Sequence, residues 1–370
     1  MAETIVLFLA GDVMTGRGVD QILPCPGSPA LRERCAHDAR EYVSLAERVN
    51  GRIAAPVDWD WPWGEALPVL DESEPDIRVI NLESTVTTSD DYAPKGINYR
   101  MHPSNVGVLT AADIDVCVLA NNHILDFGIR GLEETLRTLR SAGIRQAGAG
   151  HTAQQAWAPA AVRTGAGRVL IWSMGAESSG VARRDAARGG RPGLALLADV
   201  SDAGADAVIN RMLRVRHEGD VLVASVHWGS NWGFGVPATQ VRFAHRLVDG
   251  GVDIVHGHSS HHPRPVEIYR GRPILYGCGD LINDYEGIGG YERFRDDLRL
   301  LYLVALDART HDLRELRMVP MQSRRMRLRR ASAADTAWLR EALDGLGRDF
   351  GTRVDAGRGG LFARADRGRE

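Results

Sequence analysis

Four of the chain's twelve histidines fall within seven residues: His256, His258, His261 and His262, in DIVHGHSSHHP. Imidazole is a transition-metal ligand and the usual acid/base group near neutral pH. Asp253-Ile254-Val255 reads as the tail of a buried strand. The cluster therefore sits at a strand's C-terminal edge, where open α/β sheets bind ligands. Other apolar runs end the same way. TIVLFLAGDVM closes on Asp12, RVINLES on Asn81 and Glu83, VCVLANNH on Asn122 and His123, VLVASVHWG on His227, and YGCGD on Asp280. Strands that deliver Asp, Glu, Asn and His to one edge assemble a metal or acid/base site from distant sequence.

Within that set, Asp12, Glu83 and Asn122 offer oxygens and His227, His258 and His261 offer nitrogens, so these six are the predicted metal ligands. His123 is the predicted general acid, oriented by Asp126 three residues on. Asp126 has a second reading as the N-cap of the helix that follows. Asp12, His227, His261 and Asp280 complete the catalytic candidates. The glycines beside Asp280 permit close backbone approach. His256 and His262 are weaker candidates than His258 and His261, because neighbouring side chains point different ways. Lys95 is the chain's only lysine and follows Glu83 in a loop. With Arg100 it is expected to bind an anionic substrate group, such as a peptide carboxylate. Trp61 and Trp232, with Trp59 and Trp63, are expected to wall a side-chain pocket.

The elements that must position these residues alternate in type. Strands are predicted at about 4–11, 76–82, 114–121 and 144–148, with an amphipathic helix over 131–143. Residues 18–75 are too long for a plain connection and are expected to form a subdomain over the strand edge, including a helix from Asp38 to Asn50. Hairpins turn at 165–167, 270–272 and 307–311, with helices near 203–217, 238–250 and 333–347. The hairpins predict an antiparallel second half against a more parallel first half. With no repeat and no linker, 1–354 reads as one domain and 355–370 as a polar, frayed tail.

With 44% apolar and 25% charged residues and a net charge of −3, the chain is an ordinary globular protein with no nucleic-acid footprint. Its arginine excess over lysine reads as compositional bias. The N-terminal run lacks a basic start and leads straight into Asp12, so it reads as a core strand. No stretch is apolar enough to span a membrane, which predicts a cytoplasmic chain. Cys117 and Cys278 read as core thiols, and Cys25 and Cys35 as free. Nothing fixes the oligomeric state.

Taken together, GD-x-M, NLE, NNH with D-x-G, VHWG, the GH…H run and Y-x-x-GD resemble the CapA branch of the calcineurin-like metallophosphatases, over roughly 4–285. That resemblance implies a calcineurin-like αββα sandwich of two mixed sheets flanked by helices, with a metal site at the strand edge. Members of the wider group carry histidine where Met14 stands and GD-x-x-D where NLES stands. The departures imply one divalent ion, Ca²⁺, Mn²⁺ or Mg²⁺ before Zn²⁺, and no organic cofactor. Capsule enzymes of this branch usually carry a membrane anchor. Without a visible one, the chain is similar to lasso-peptide epimerases of ribosomal peptide tailoring, which implies Cα inversion on a peptide substrate by His/Asp acid–base chemistry. The alternatives are a metal-dependent phosphoesterase and a poly-γ-glutamate capsule biosynthesis protein.

Overall fold

A computed structural model describes residues 3–366. Two mixed sheets lie face to face, with helices on both outer faces. The larger sheet runs, edge to edge, Thr352–Gly357, Gly360–Ala365, Leu313–Ser323, Leu298–Asp307, Thr4–Val13, Ile77–Leu82, Val116–Val118 and Arg145–Ala147. The smaller runs Val266–Tyr269, Arg272–Leu275, Ile254–His258, Asp220–His227, Gly167–Gly175 and Ala160–Thr164. This is the αββα sandwich that the motifs imply.

Period-2 alternation assigns the faces. Ile5, Leu7 and Leu9 pack with Val79, Val169, Val221, Val223 and Ile254 between the sheets. Phe8, Ala10, Ile80 and Leu82 face outward against Leu132, Leu136 and Leu139 of the Gly128–Ser141 helix. On the far side, Leu222, Ala224 and Val226 pack against Phe243 and Leu247 of the Ala238–Asp249 helix and Val208 of the Asp202–Leu213 helix.

Parallel and antiparallel pairing do not divide by halves of the chain, as the hairpins suggested. Each sheet has a parallel block and antiparallel strands beside it. Strands Gly167–Gly175, Asp220–His227, Ile254–His258 and Arg272–Leu275 pair parallel, and the hairpin partners Ala160–Thr164 and Val266–Tyr269 close the edges. The reason is that the Asp202–Leu213 and Ala238–Asp249 helices return the chain after Gly167–Gly175 and Asp220–His227, while the Val266–Tyr269 strand leads from Ile254–His258 to Arg272–Leu275.

The segment 18–75 packs against one outer face. It includes the Arg40–Asn50 and Ala66–Ser73 helices, and Tyr42, Ala46, Ile53, Val57 and Trp63 pack into the outer core. The tail expectation needs correcting. Residues 352–365 form a hairpin whose second strand pairs with Leu316–Met318, burying Val354, Leu361 and Ala363. A few alternating apolar residues suffice there, because the edge of the larger sheet supplies the partner. The last four residues of the predicted tail lie outside the described residues. Cys25, Cys35, Cys117 and Cys278 are all free, and the last two are buried.

Candidate metal centre

The first strand re-aims Asp12 by a bulge. Ala10 pairs with Ile80 but Asp12 pairs with Asn81, so Gly11 is the extra residue and parity switches. Asp12 thereby turns from the helix side to the space between the sheets. Asp280 stands opposite it, on the short strand Asp280–Ile282 that pairs parallel with the first. On the facing sheet, His227 and His258 are register partners. Both sheets therefore end in the same place.

The ligand atoms converge. Asp12, His227 and His258 each present one donor atom within 4.8 Å of the others, and Asp12, His261 and Asp280 form a second such group. Asp12 Oδ1 accepts from Asn81 Nδ2 at 2.7 Å, while Asp12 Oδ2 is buried without a hydrogen-bond partner. A buried, unpartnered carboxylate oxygen is costly and calls for a cation. Glu83 Oε1 lies 3.8 Å from both His227 Nε2 and His123 Nε2, and Asn122 Oδ1 lies 3.0 Å from His227 Nε2. The six predicted ligands thus occupy one locality.

A relay fixes the tautomer of His258. His256 Nε2 donates to the Ala10 carbonyl at 2.9 Å, so its Nδ1 is an acceptor. Ser225 Oγ therefore donates to His256 Nδ1 at 3.1 Å and accepts from His258 Nε2 at 2.9 Å. This leaves the Nδ1 lone pair of His258 facing His227 Nδ1 at 2.8 Å and Asp12 Oδ1 at 3.9 Å. A neutral imidazole with its other nitrogen tied down is what a metal ligand requires.

The electrostatics agree. Burial, then the Asp280 carboxylate, pushes Asp12 up to about 7. Burial and Asp12 push Glu83 well above the usual carboxylate range. Burial holds His227 and His258 well below the usual histidine value. Carboxylates that resist ionisation beside imidazoles that resist protonation form a set of lone pairs suited to a divalent cation. The residues fit such an ion.

Two histidine–aspartate dyads flank this set. His123 Nδ1 donates to Asp126 Oδ2 at 2.7 Å, and Lys95 Nζ reaches Asp126 Oδ1 at 2.5 Å and the Asn122 carbonyl at 2.7 Å. Burial lowers His123 to about 4, with Asp126 opposing and Lys95 assisting. A neutral His123 is a proton acceptor at its Nε2, so the expected general acid is held in its base form. His261 Nδ1 donates to Asp280 Oδ1 at 2.9 Å, and Asn231 and Asn283 steady the pair. Burial pulls His261 down, but Asp280 and Asp12 outweigh it and its affinity for a proton rises. Environments that push two histidines apart are how one site provides a base and an acid.

The substrate-binding candidates fare differently. Lys95 serves the His123–Asp126 dyad, although it still borders a cavity of about 310 Å³ beside Asn122. Arg100 is turned away from the centre, onto the Ser28 and Ser89 carbonyls, Asp90 and the Phe127 ring. Its guanidinium binds loops, so it is not free for an anionic substrate. Trp61 donates to the Arg325 carbonyl and lies under Arg327, Trp63 is fully buried, and Trp59 sits on Asn105. That run packs the outer face and walls no pocket at the centre. Trp232 does reach it, with its ring 5.4 Å from His261.

Residues 6–285 match the family model described as bacterial capsule synthesis protein PGA_cap. The chain belongs to the PGA_cap family. This PGA_cap protein is 55% identical over 355 residues to a probable polyglutamine synthesis accessory protein of Mycobacterium tuberculosis, covering 95% of this chain and 93% of that one. It is 29% identical over 295 residues to the PGA biosynthesis protein CapA of Bacillus subtilis, covering 79% and 66%. A solved phosphatase structure from Mycoplasma pneumoniae aligns over 87% of this chain and 95% of its own, with a TM-score of 0.48 and 10% identity. Among the described residues, no helix of this PGA_cap chain is long and apolar enough to cross a membrane.

Ser225 and Asn121 tie the site together without having been singled out in the sequence, and Asn81 was read as a strand end but given no role. Asn121 Nδ2 donates to Asn81 Oδ1, and its own Oδ1 accepts from the His123 amide. Ser225 had a usable signal: it lies two residues before His227, on the same strand face.

Proposed function

We propose that this PGA_cap protein is a metal-dependent enzyme that tailors a glutamate or glutamine polymer during its synthesis, cleaving or transferring an amide bond. The names of the two relatives support the polymer and favour the capsule reading over peptide epimerisation. The observation that carries the chemistry is the Asp12 carboxylate, buried with Oδ2 unpartnered, common to two ligand groups and flanked by oppositely tuned histidine dyads. Asp12, His227 and His258 would hold the ion, with Glu83 and Asn122 beside them. Two imidazoles with carboxylate oxygen suit Mn²⁺ or another transition ion better than Ca²⁺ or Mg²⁺. Such an ion, when bound, polarises an amide oxygen or acidifies a water. His123 takes a proton at Nε2, with Asp126 and Lys95 fixing its orientation. His261, whose affinity for a proton Asp280 raises, would deliver one to the departing amine. The test incubates purified protein and oligoglutamate with and without Mn²⁺ and follows chain length by mass spectrometry. Unchanged lengths under every metal tested would refute amide cleavage.

A second reading, inversion of a Cα in the same polymer, is favoured by the two separate dyads, since inversion needs a base and an acid. Deuterium incorporated from solvent at Cα without change of length would select it.

A further inference from the structure

The turn 323–330, SRRMRLRR, presents four arginines to one hollow. Arg324, Arg325, Arg327 and Arg329 line a cavity of about 510 Å³ together with Asn50 and Glu65. Elsewhere arginines sit on carboxylates, as Arg17 does on Glu33 and Asp284, Arg168 on Asp220 and Arg353 on Asp344. Arg324, Arg325 and Arg327 form no ion pair among the described residues. The acids nearby are already engaged. Glu65 accepts from the Arg330 amide at 2.7 Å, and Glu286 from the Arg325 amide and Asn50, at 2.7 and 2.6 Å.

The turn is held rigidly. Arg325 and Met326 adopt φ of 58° and 51°, the left-handed region that ordinary side chains avoid. Glu286 captures both of their amides, and Met326 is buried as an anchor. Trp61 donates to the Arg325 carbonyl at 3.0 Å and stacks under Arg327, 4.6 Å from its ring centre. This accounts for the tryptophan that the metal centre does not use. An adjoining cavity of about 400 Å³ shares Asn50, Arg324 and Arg329 and extends to Tyr285. Its lining sets Glu286, Glu292, Asp296 and Asp297 beside Arg299, Arg324 and Arg329, and Tyr285 meets the His261 ring edge-on at 5.2 Å.

We infer that this arginine hollow is a binding site for a carboxylate-bearing polymer, holding one stretch of it while another reaches the metal centre past Tyr285. The inference rests on the polymer reading and deepens it. Unpaired guanidiniums recognise carboxylates bidentately, and they offer nothing comparable to a neutral amide side chain. The hollow therefore selects polyglutamate over polyglutamine.

The experiment titrates labelled oligoglutamate, and separately oligoglutamine, into the full chain by fluorescence anisotropy. The comparison is with R324Q/R325Q/R327Q and with His258→Ala. Arg324 and Arg325 are exposed and Arg327 is half-buried, so the triple variant keeps its fold, checked by circular dichroism. Expected are salt-sensitive binding of oligoglutamate, at least about tenfold weaker binding in the triple variant, and little change in His258→Ala. Equal oligoglutamate affinity in wild type and triple variant overturns the inference, and so does equal affinity for oligoglutamine. Inorganic polyphosphate binding as tightly as oligoglutamate would also overturn the carboxylate assignment. Binding through the arginines without any chemical change to the polymer would leave the hollow standing and defeat the proposed reaction.

Discussion

His258 Nε2 lies 2.9 Å from Ser225 Oγ, and that contact decides which nitrogen of His258 is free. The decision is imposed from the other sheet, because the Ala10 carbonyl sets His256, and His256 sets Ser225. Breaking the relay should loosen the metal ligand without emptying the core. Ser225→Ala is expected to weaken Mn²⁺ binding by about 10–100-fold, as loss of an outer hydrogen-bond partner does. Isothermal titration of the purified variant reads this directly. Wild-type affinity would mean that His258 is not a ligand through Nδ1.

The metal's contribution to stability should depend on pH. The folded pKa of Asp12 is raised to about 7 by burial and by Asp280. A raised carboxylate contributes stability that is present below its unfolded value and lost as pH rises through the folded one. Between about pH 4 and 7 the metal-free chain therefore loses stability from this group, and a bound cation restores it. The rise in melting temperature on adding Mn²⁺ is expected to be larger at pH 8 than at pH 5.5. An increment that is flat or falls with pH would contradict the placement of Asp12 at the ion.

Acid–base and ligand roles should separate by mutation. His123→Gln is expected to lower turnover of the polymer by about two to four orders of magnitude with Mn²⁺ affinity kept. His258→Gln is expected to lose both. Asp126→Asn should follow His123→Gln, because the carboxylate orients the imidazole. If His123→Gln lost the metal and kept normal turnover at saturating Mn²⁺, His123 would be a ligand and not a base.

Much of the centre was legible because its residues close apolar runs. Asp12, Glu83, Asn122, His227, His258 and His261 each follow a buried strand, and strand ends on a sandwich share an edge. Arg100 and Trp61 were misplaced because their partners come from remote loops. Arg100 is held by Ser28 and Ser89, and Trp61 by Arg325, which no local pattern announces. The 352–365 hairpin was hidden by composition, with only alternate residues apolar. The bulge at Gly11 was hidden too, since pairing register is a property of two strands and not of one.

Gly11 offers the sharpest check on how the strand ends are built. A Cβ added there would lie 1.8 Å from the Gly279 carbonyl oxygen, a backbone atom that cannot step aside. The same carbonyl accepts from the Asp12 amide at 3.0 Å, and Gly279 itself has a φ of 74°. Gly11→Ala must therefore push apart the two strands that carry Asp12 and Asp280. The expected cost is at or beyond the upper end of the ~1–3 kcal/mol typical of overpacking. It should appear as a lowered urea midpoint together with weakened Mn²⁺ binding. Gly165→Ala, where a Cβ meets nothing within 4 Å, is the control and should leave both unchanged. If Gly11→Ala matched the control in both measurements, the close pairing of Asp12 with Asp280 would be wrong.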